Sequence, residues 1–207
     1  MVRRYRRPTA HRRASGAVLA AVVAPATLAL LVGVVAAGCG GSTGGPTHFS
    51  NPTYGISLTV DRRLTQWRTA TVASGGAFEV SFVDTAGAVA GSRHLDTLTV
   101  SLVDTHLSPS GQQAAQVAAL LRRLGAAMVA KLGADAQAGA VSDVSLNGLT
   151  GVVVPYGVTV AGRAVVGWLY LLTSGGRMYA LTAGATVDRW NLDRPLFAHA
   201  IGSFRVN

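Results

Sequence analysis

An α+β fold, an antiparallel β-sheet flanked by helices, is what this sequence predicts, and three observations carry the expectation. Apolar and polar residues alternate through several segments between residues 55 and 186. The period changes once, between Ser108 and Gly133, from two to that of a helix. Glycine-supported turns then separate four further alternating segments, so that successive strands fold back on one another. Strands, one long helix, a meander and one short helix, in that order, suit helices packed on an antiparallel sheet.

Residues 55–60 (Gly-Ile-Ser-Leu-Thr-Val) alternate as a half-buried strand does. Residues 67–73 and 77–84 flank Ser74-Gly75-Gly76 and predict a hairpin. After a soft loop at 85–92, residues 95–103 set Leu95, Thr97 and Thr99 against Asp96, Leu98 and Val100. Ser108 is a good helix N-cap, and Pro109 suits the first helical position. Val117, Leu120, Leu121, Leu124, Met128 and Leu132 then form one apolar stripe, with Gly133 ending the helix. Gly125 inside it is a weak point of about 1 kcal/mol relative to alanine.

Four strands follow at residues 140–146, 149–160, 164–173 and 177–186, joined by Asn147-Gly148, Ala161-Gly162-Arg163 and Ser174-Gly175-Gly176. In 164–173, Val166, Trp168, Tyr170 and Leu172 share one face, and Val165, Leu169 and Leu171 share the other. Two apolar faces imply a central strand covered on both sides. Asp193 caps a last helix with Pro195 just inside it, carrying Leu196, Phe197 and Ile201 toward Ser203-Phe204. Trp67, Trp168 and Trp190 read as core or core-edge residues.

The N-terminal segment has a different character. Arg3, Arg4, Arg6, Arg7, Arg12 and Arg13 precede a charge-free stretch from Ala14 to Ala37, and Cys39, the only cysteine, follows Ala36, Ala37 and Gly38. This layout resembles a bacterial lipoprotein signal peptide. The resemblance implies that residues 1–38 are removed and that a signal peptidase reads the small residues Ala36, Ala37 and Gly38. It also implies that the Cys39 thiol carries a diacylglyceryl group that holds the protein on the membrane. The chain departs from the pattern at Ala36, where a bulky aliphatic residue is preferred. Residues 15–37 number 23, against about 20 needed to span a bilayer, so a retained anchor is the competing reading. Both readings leave the arginines in the cytoplasm and export the rest. Neither Arg3-Arg4 nor Arg12-Arg13 is followed by the Phe-Leu of a twin-arginine signal, and the export route stays open.

Beyond the signal, residues 39–207 keep 12 basic and 9 acidic side chains, a net charge of +3, so the basic balance of the whole chain marks no nucleic-acid footprint. Residues 39–48, rich in Gly, Ser and Thr, read as a flexible tether, and residues 49–207 as one domain whose stability rests on burial without a disulfide.

Within that domain, Asn51-Pro52-Thr53-Tyr54-Gly55-Ile56-Ser57-Leu58, a tryptophan soon after, the long helix, Gly175-Gly176-Arg177-Met178-Tyr179-Ala180-Leu181-Thr182-Ala183 and a closing Ile201-Gly202-Ser203-Phe204 form a recognisable series. Over residues 49–206 it resembles the PsbP-like fold, and within it the actinobacterial Lpq-type lipoproteins. The resemblance implies an αβα sandwich and a non-catalytic accessory or binding protein, in a superfamily that includes photosystem subunits, small-GTPase binders and lipoproteins. It carries over no catalytic residue. The chain departs from it at Asp61-Arg62-Arg63, where relatives tend to place a proline ahead of the tryptophan.

The residues themselves supply little chemistry. Glu79 is the sole glutamate and Lys131 the sole lysine, and there is no Gly-x-Ser-x-Gly, Ser-x-x-Lys, His-Glu-x-x-His or phosphate-loop pattern. His48, His94, His106 and His199 are scattered without ligand spacing, and most acids stand singly, Asp188 and Asp193 near Arg189 being the closest late pair, so no catalytic, cofactor-binding or metal site is expected. Arg62-Arg63 and Arg122-Arg123 read as solvated doublets. The expected protein is a non-catalytic envelope component, lipid-anchored on the extracytoplasmic face of the cell membrane, acting on an unidentified protein or lipid partner. The alternative is a carrier of a lipidic metabolite in a cavity between sheet and long helix, with Trp168 or Tyr170 on a groove for an acyl chain or glycan.

Overall fold

The computed structural model describes residues 45–72, 77–104 and 114–207. The N-terminal segment with Cys39, residues 73–76, His106, Ser108 and Pro109 lie outside them.

A short strand β1 (Thr47–Asn51) pairs with β2 (Ile56–Val60), so Thr47 and His48, read above as tether, belong to a strand. The chain turns at Asp61-Arg62-Arg63, where the Asp61 carboxylate accepts the Arg63 amide at 2.9 Å and the Asp61 carbonyl accepts the Leu64 amide at 2.8 Å. This local hydrogen-bonded turn sets the chain's change of direction between the two strands. There follow β3 (Leu64–Val72), β4 (Ala77–Asp84), a hairpin of β5 (Val89–Ala90) and β6 (Arg93–His94), β7 (Thr97–Asp104) and helix α1, described from Ala114–Ala130. Next come β8 (Gln137–Ala138), β9 (Ser142–Leu146), β10 (Leu149–Val160), β11 (Arg163–Ser174), β12 (Arg177–Thr186), α2 (Trp190–Ser203) and β13 (Arg205–Val206).

The main sheet runs β3-β4-β7-β12-β11-β10-β8, with β9 beside β8 on β10, and all its pairings are antiparallel. The three meander turns are two-residue loops with positive φ at both positions: Asn147 and Gly148, Ala161 and Gly162, Gly175 and Gly176. That geometry matches the twist of the strands it joins. Tyr156 fills the space above paired Gly167 and Gly184, and its hydroxyl donates to the Ala183 carbonyl at 3.2 Å.

Side-chain alternation divides the interior into two cores. Along β12, Tyr179, Leu181, Ala183 and Ala185 enter one cluster, while Met178 and Ala180 enter the other. The first cluster takes Phe197, Ala200 and Ile201 of α2 together with Ile56, Leu58 and Val60 of β2. The second takes Leu121 and Val129 of α1, the β10 residues Val152, Val154 and Val158, and Leu95 beside the small hairpin. The fold is therefore α+β, mostly antiparallel sheet with two helices, and β11 is the double-sided central strand that its sequence predicts. The closing segment is anchored tightly. Phe204 is fully buried, Ser203 Oγ accepts the Thr59 amide at 2.8 Å, and Asn147 Nδ2 donates to the Gly202 and Phe204 carbonyls at 2.9 and 2.8 Å.

Three details of the helices differ from expectation. Leu120 and Leu132 are 44% and 42% exposed, so the buried stripe of α1 instead runs through Val117, Leu121, Gly125 and Val129. Gly125 is no weak point: a Cβ there would meet Val154 Cγ2 at 2.8 Å, and its absence lets the helix lie close on β10. Gly133 is not the helix terminator either. The final turn closes through the Lys131 and Leu132 amides on the Met128 and Val129 carbonyls, and Gly133 sits tight against Val158.

Candidate functional site

Five charged side chains from four separate stretches of sequence meet at the N-terminus of α2. Asp193 does not cap this helix. The helix begins three residues earlier, after the Arg189 amide has closed a turn on the Thr186 carbonyl, and the Asp193 carboxylate is fully buried among arginines. Arg63 donates to Asp84 Oδ2 at 2.5 Å and to Asp193 Oδ1 at 2.8 Å. Arg189 reaches Asp84 at 2.8 Å, Asp96 at 2.9 Å and Asp193 at 3.4 Å. Asp96 also accepts the Thr186 and Ala88 amides at 2.8 and 2.5 Å, and Asp84 accepts the Ala86 amide at 2.9 Å. The network thus ties the β2–β3 turn, the end of β4, the start of β7 and α2 together.

Burial pushes the Asp84 carboxyl up, but the Arg63 guanidinium, the Ala86 amide and Arg189 outweigh it and hold it below the usual carboxylate value. For Asp193, burial dominates, and the charges of Asp84 and Asp96 add to it against the pull of Arg189. Its carboxyl is raised. The acids do not stand singly, contrary to the sequence reading, and Arg63 is not a solvated cation. Yet every carboxylate here faces a guanidinium. Its chemistry is that of a clasp. Asp96 offered a signal, since it falls in phase with the buried Leu98 and Val100. Arg63 offered none, because its partners lie far along the chain. Arg189 has one local partner, Asp193 four residues on, while Asp84 and Asp96 lie far away.

The second candidate is a groove. Between the first half of α1 and the ends of β9–β11 lies an open, mainly apolar cleft of about 430 Å³, lined by Val117, Ala118, Leu121, Val144, Gly151 and Thr173, with Asp143 at its rim. Arg122 pairs with Asp143 at 2.5 Å beside it. Its volume falls in the range of small-molecule sites, though it is open where such sites are usually enclosed.

Trp168 and Tyr170 do not line this groove. They pack on the other core, where Trp168 meets Trp190 edge-on at 4.9 Å, with the Arg194 guanidinium 5.6 Å from its ring. Trp67, expected in or near the core, is 57% exposed, turned outward at a bulge between Gln66 and Arg68 and resting on the His94 ring at 4.4 Å. Among the described residues, no group of three His, Cys, Asp or Glu side chains is placed to hold a metal ion, and no helix is long and apolar enough to cross a membrane.

This arrangement of a meandering sheet, a long helix after β7 and a short C-terminal helix defines a fold that solved structures share. The fold is PsbP-like. It superposes on cyanobacterial PsbP (CyanoP) from Synechocystis sp. PCC 6803 with a TM-score of 0.57 at 18% identity, covering 82% of this chain and 98% of that one. LpqN of Mycobacterium tuberculosis, described as involved in cell envelope biogenesis, matches at a TM-score of 0.49 and 16% identity, over 78% of this chain and 89% of its own. The Ran-binding protein Mog1p of Saccharomyces cerevisiae matches at 0.44 and 11%, over 78% and 95%. No protein-family model and no curated protein matches the sequence.

Proposed function

We propose that this chain is a non-catalytic accessory or binding protein of the bacterial cell envelope, built on a PsbP-like αβα sandwich and held by lipid on Cys39. The observation that carries the reading is the run Ala36-Ala37-Gly38-Cys39 closing a charge-free segment, set directly ahead of the PsbP-like domain. Residues 1–38 are the signal peptide, residues 39–46 the tether, and the domain faces away from the cytoplasm. The clasp at α2 serves rigidity: its ion pairs join distant segments and leave the surface to do the binding.

Metabolic labelling with palmitate tests the anchor. The wild-type chain takes up label and fractionates with membranes, whereas Cys39→Ser takes up none and keeps its precursor mobility. Label on the Cys39→Ser chain contradicts the reading.

The groove under α1 supports a second reading, a carrier of an acyl chain, because its lining is apolar and lies between sheet and long helix. Ala118→Trp fills it. If the groove holds an acyl chain, lipid that co-purifies with the wild-type chain is absent from this variant; equal lipid in both removes the reading.

A further inference from the structure

We infer that the exposed edge of β3 is a docking strand for an extended, acidic segment of a partner protein. This names the surface used by a protein partner and rests on the proposed accessory function.

Strand β3 ends the main sheet and, among the described residues, pairs only with β4. The opposite edge is divided between the two-residue β8 and the five-residue β9. By contrast β3 runs nine residues, Leu-Thr-Gln-Trp-Arg-Thr-Ala-Thr-Val, without proline; its one charged side chain is Arg68 and its one irregularity the bulge between Gln66 and Arg68. An edge of that length offers a row of free backbone N–H and C=O groups, which natural sheets usually shorten, charge or cover.

Trp67 adds a second observation. The bulge between Gln66 and Arg68 turns its ring outward beside His94, while Trp168 and Trp190 stay packed against the core. Bulges re-aim side chains, and an outward tryptophan next to a free edge is the kind of anchor that binding surfaces use.

Charge then selects the occupant. Exposed Arg62 precedes the strand, exposed Arg68 lies within it, and exposed Arg93 stands next to His94. Of these, Arg68 has an acidic neighbour, the partly exposed Glu79 of β4 at 3.5 Å. A second copy of this chain pairing antiparallel on the same segment brings Arg68 close to Arg68, and like charges across strands destabilise the pairing. An acidic extended peptide meets the same edge with its charges matched.

The test uses the full chain in detergent. The probe is a blocked eight-residue peptide of alternating threonine and glutamate, compared with the same peptide N-methylated at alternate amides. Hydrogen exchange at the amides of residues 68–72 slows with the first peptide and is unchanged with the second. Arg68→Glu and Trp67→Ala, both at exposed positions, each weaken peptide binding by about fivefold or more. Exchange unchanged at every peptide concentration overturns the inference. So does equal protection by the N-methylated peptide, or protection that rises with protein concentration without peptide, which assigns the edge to self-association. None of these outcomes bears on lipidation at Cys39, which the palmitate experiment tests separately.

Discussion

Arg63 and Asp193 stand 130 positions apart in sequence, and their side chains are hydrogen-bonded at 2.8 Å. Through this contact the turn that opens the main sheet is fastened to the helix that closes the domain. Asp84, shared by Arg63 and Arg189, sits at the middle of the clasp with 1% of its side chain exposed.

Asp84→Asn removes the carboxylate that both arginines share, and breaking a buried pair in this way costs about 3 kcal/mol in chemical denaturation at neutral pH. The sign of its pH dependence follows from a folded-state value depressed below the ordinary one. The Asp84 contribution is present above about pH 4 and is lost as pH falls through the depressed value. The wild-type advantage over Asp84→Asn therefore shrinks on acidification. Asp193, whose value is raised, acts oppositely: its contribution is largest at low pH and is lost as pH rises through the raised value. An Asp84→Asn difference that stays constant from neutral to strongly acidic pH contradicts this account of the clasp.

Neighbouring leucines of α1 separate buried from exposed positions. Leu121 is 2% exposed and Leu120 is 44% exposed. Leu121→Ala destabilises by about 2–5 kcal/mol, while Leu120→Ala stays within about 0.5 kcal/mol. Similar effects at both positions place the helix in a different rotation on the sheet.

At Gly125 two effects compete. Alanine improves helix propensity by about 1 kcal/mol. Its Cβ, however, meets Val154 Cγ2 at 2.8 Å, a close approach that forces the helix or β10 to shift. Overpacking of this kind costs about 1–3 kcal/mol, so Gly125→Ala is expected to lower the thermal midpoint. A raised midpoint shows that the helix–sheet contact yields freely.

What was legible in the sequence was whatever local pattern decides. The meander strands fall within two residues of their expected bounds because Asn147-Gly148, Ala161-Gly162 and Gly175-Gly176 mark the turns and alternation marks the faces. Helix α1 was visible as a period, but its rotation was not. Leu120 and Leu132 count as apolar in any pattern, whereas Gly125 adds nothing to a hydrophobic stripe although it lies tight against Val154. The clasp was hidden for another reason. Asp193 resembles a cap when read beside Pro195, and only the fold shows that Arg63 and Arg189 claim it. Trp67 misled because tryptophan usually packs inward, and the bulge that turns it outward has no signature in the residues around it.

The central claim, a lipid-anchored envelope protein, is tested most directly by mass spectrometry of the mature N-terminus from the native membrane. The account predicts a chain beginning at Cys39 and carrying a diacylglyceryl group. A chain that retains residues 15–37, or begins at an unmodified Cys39, contradicts it.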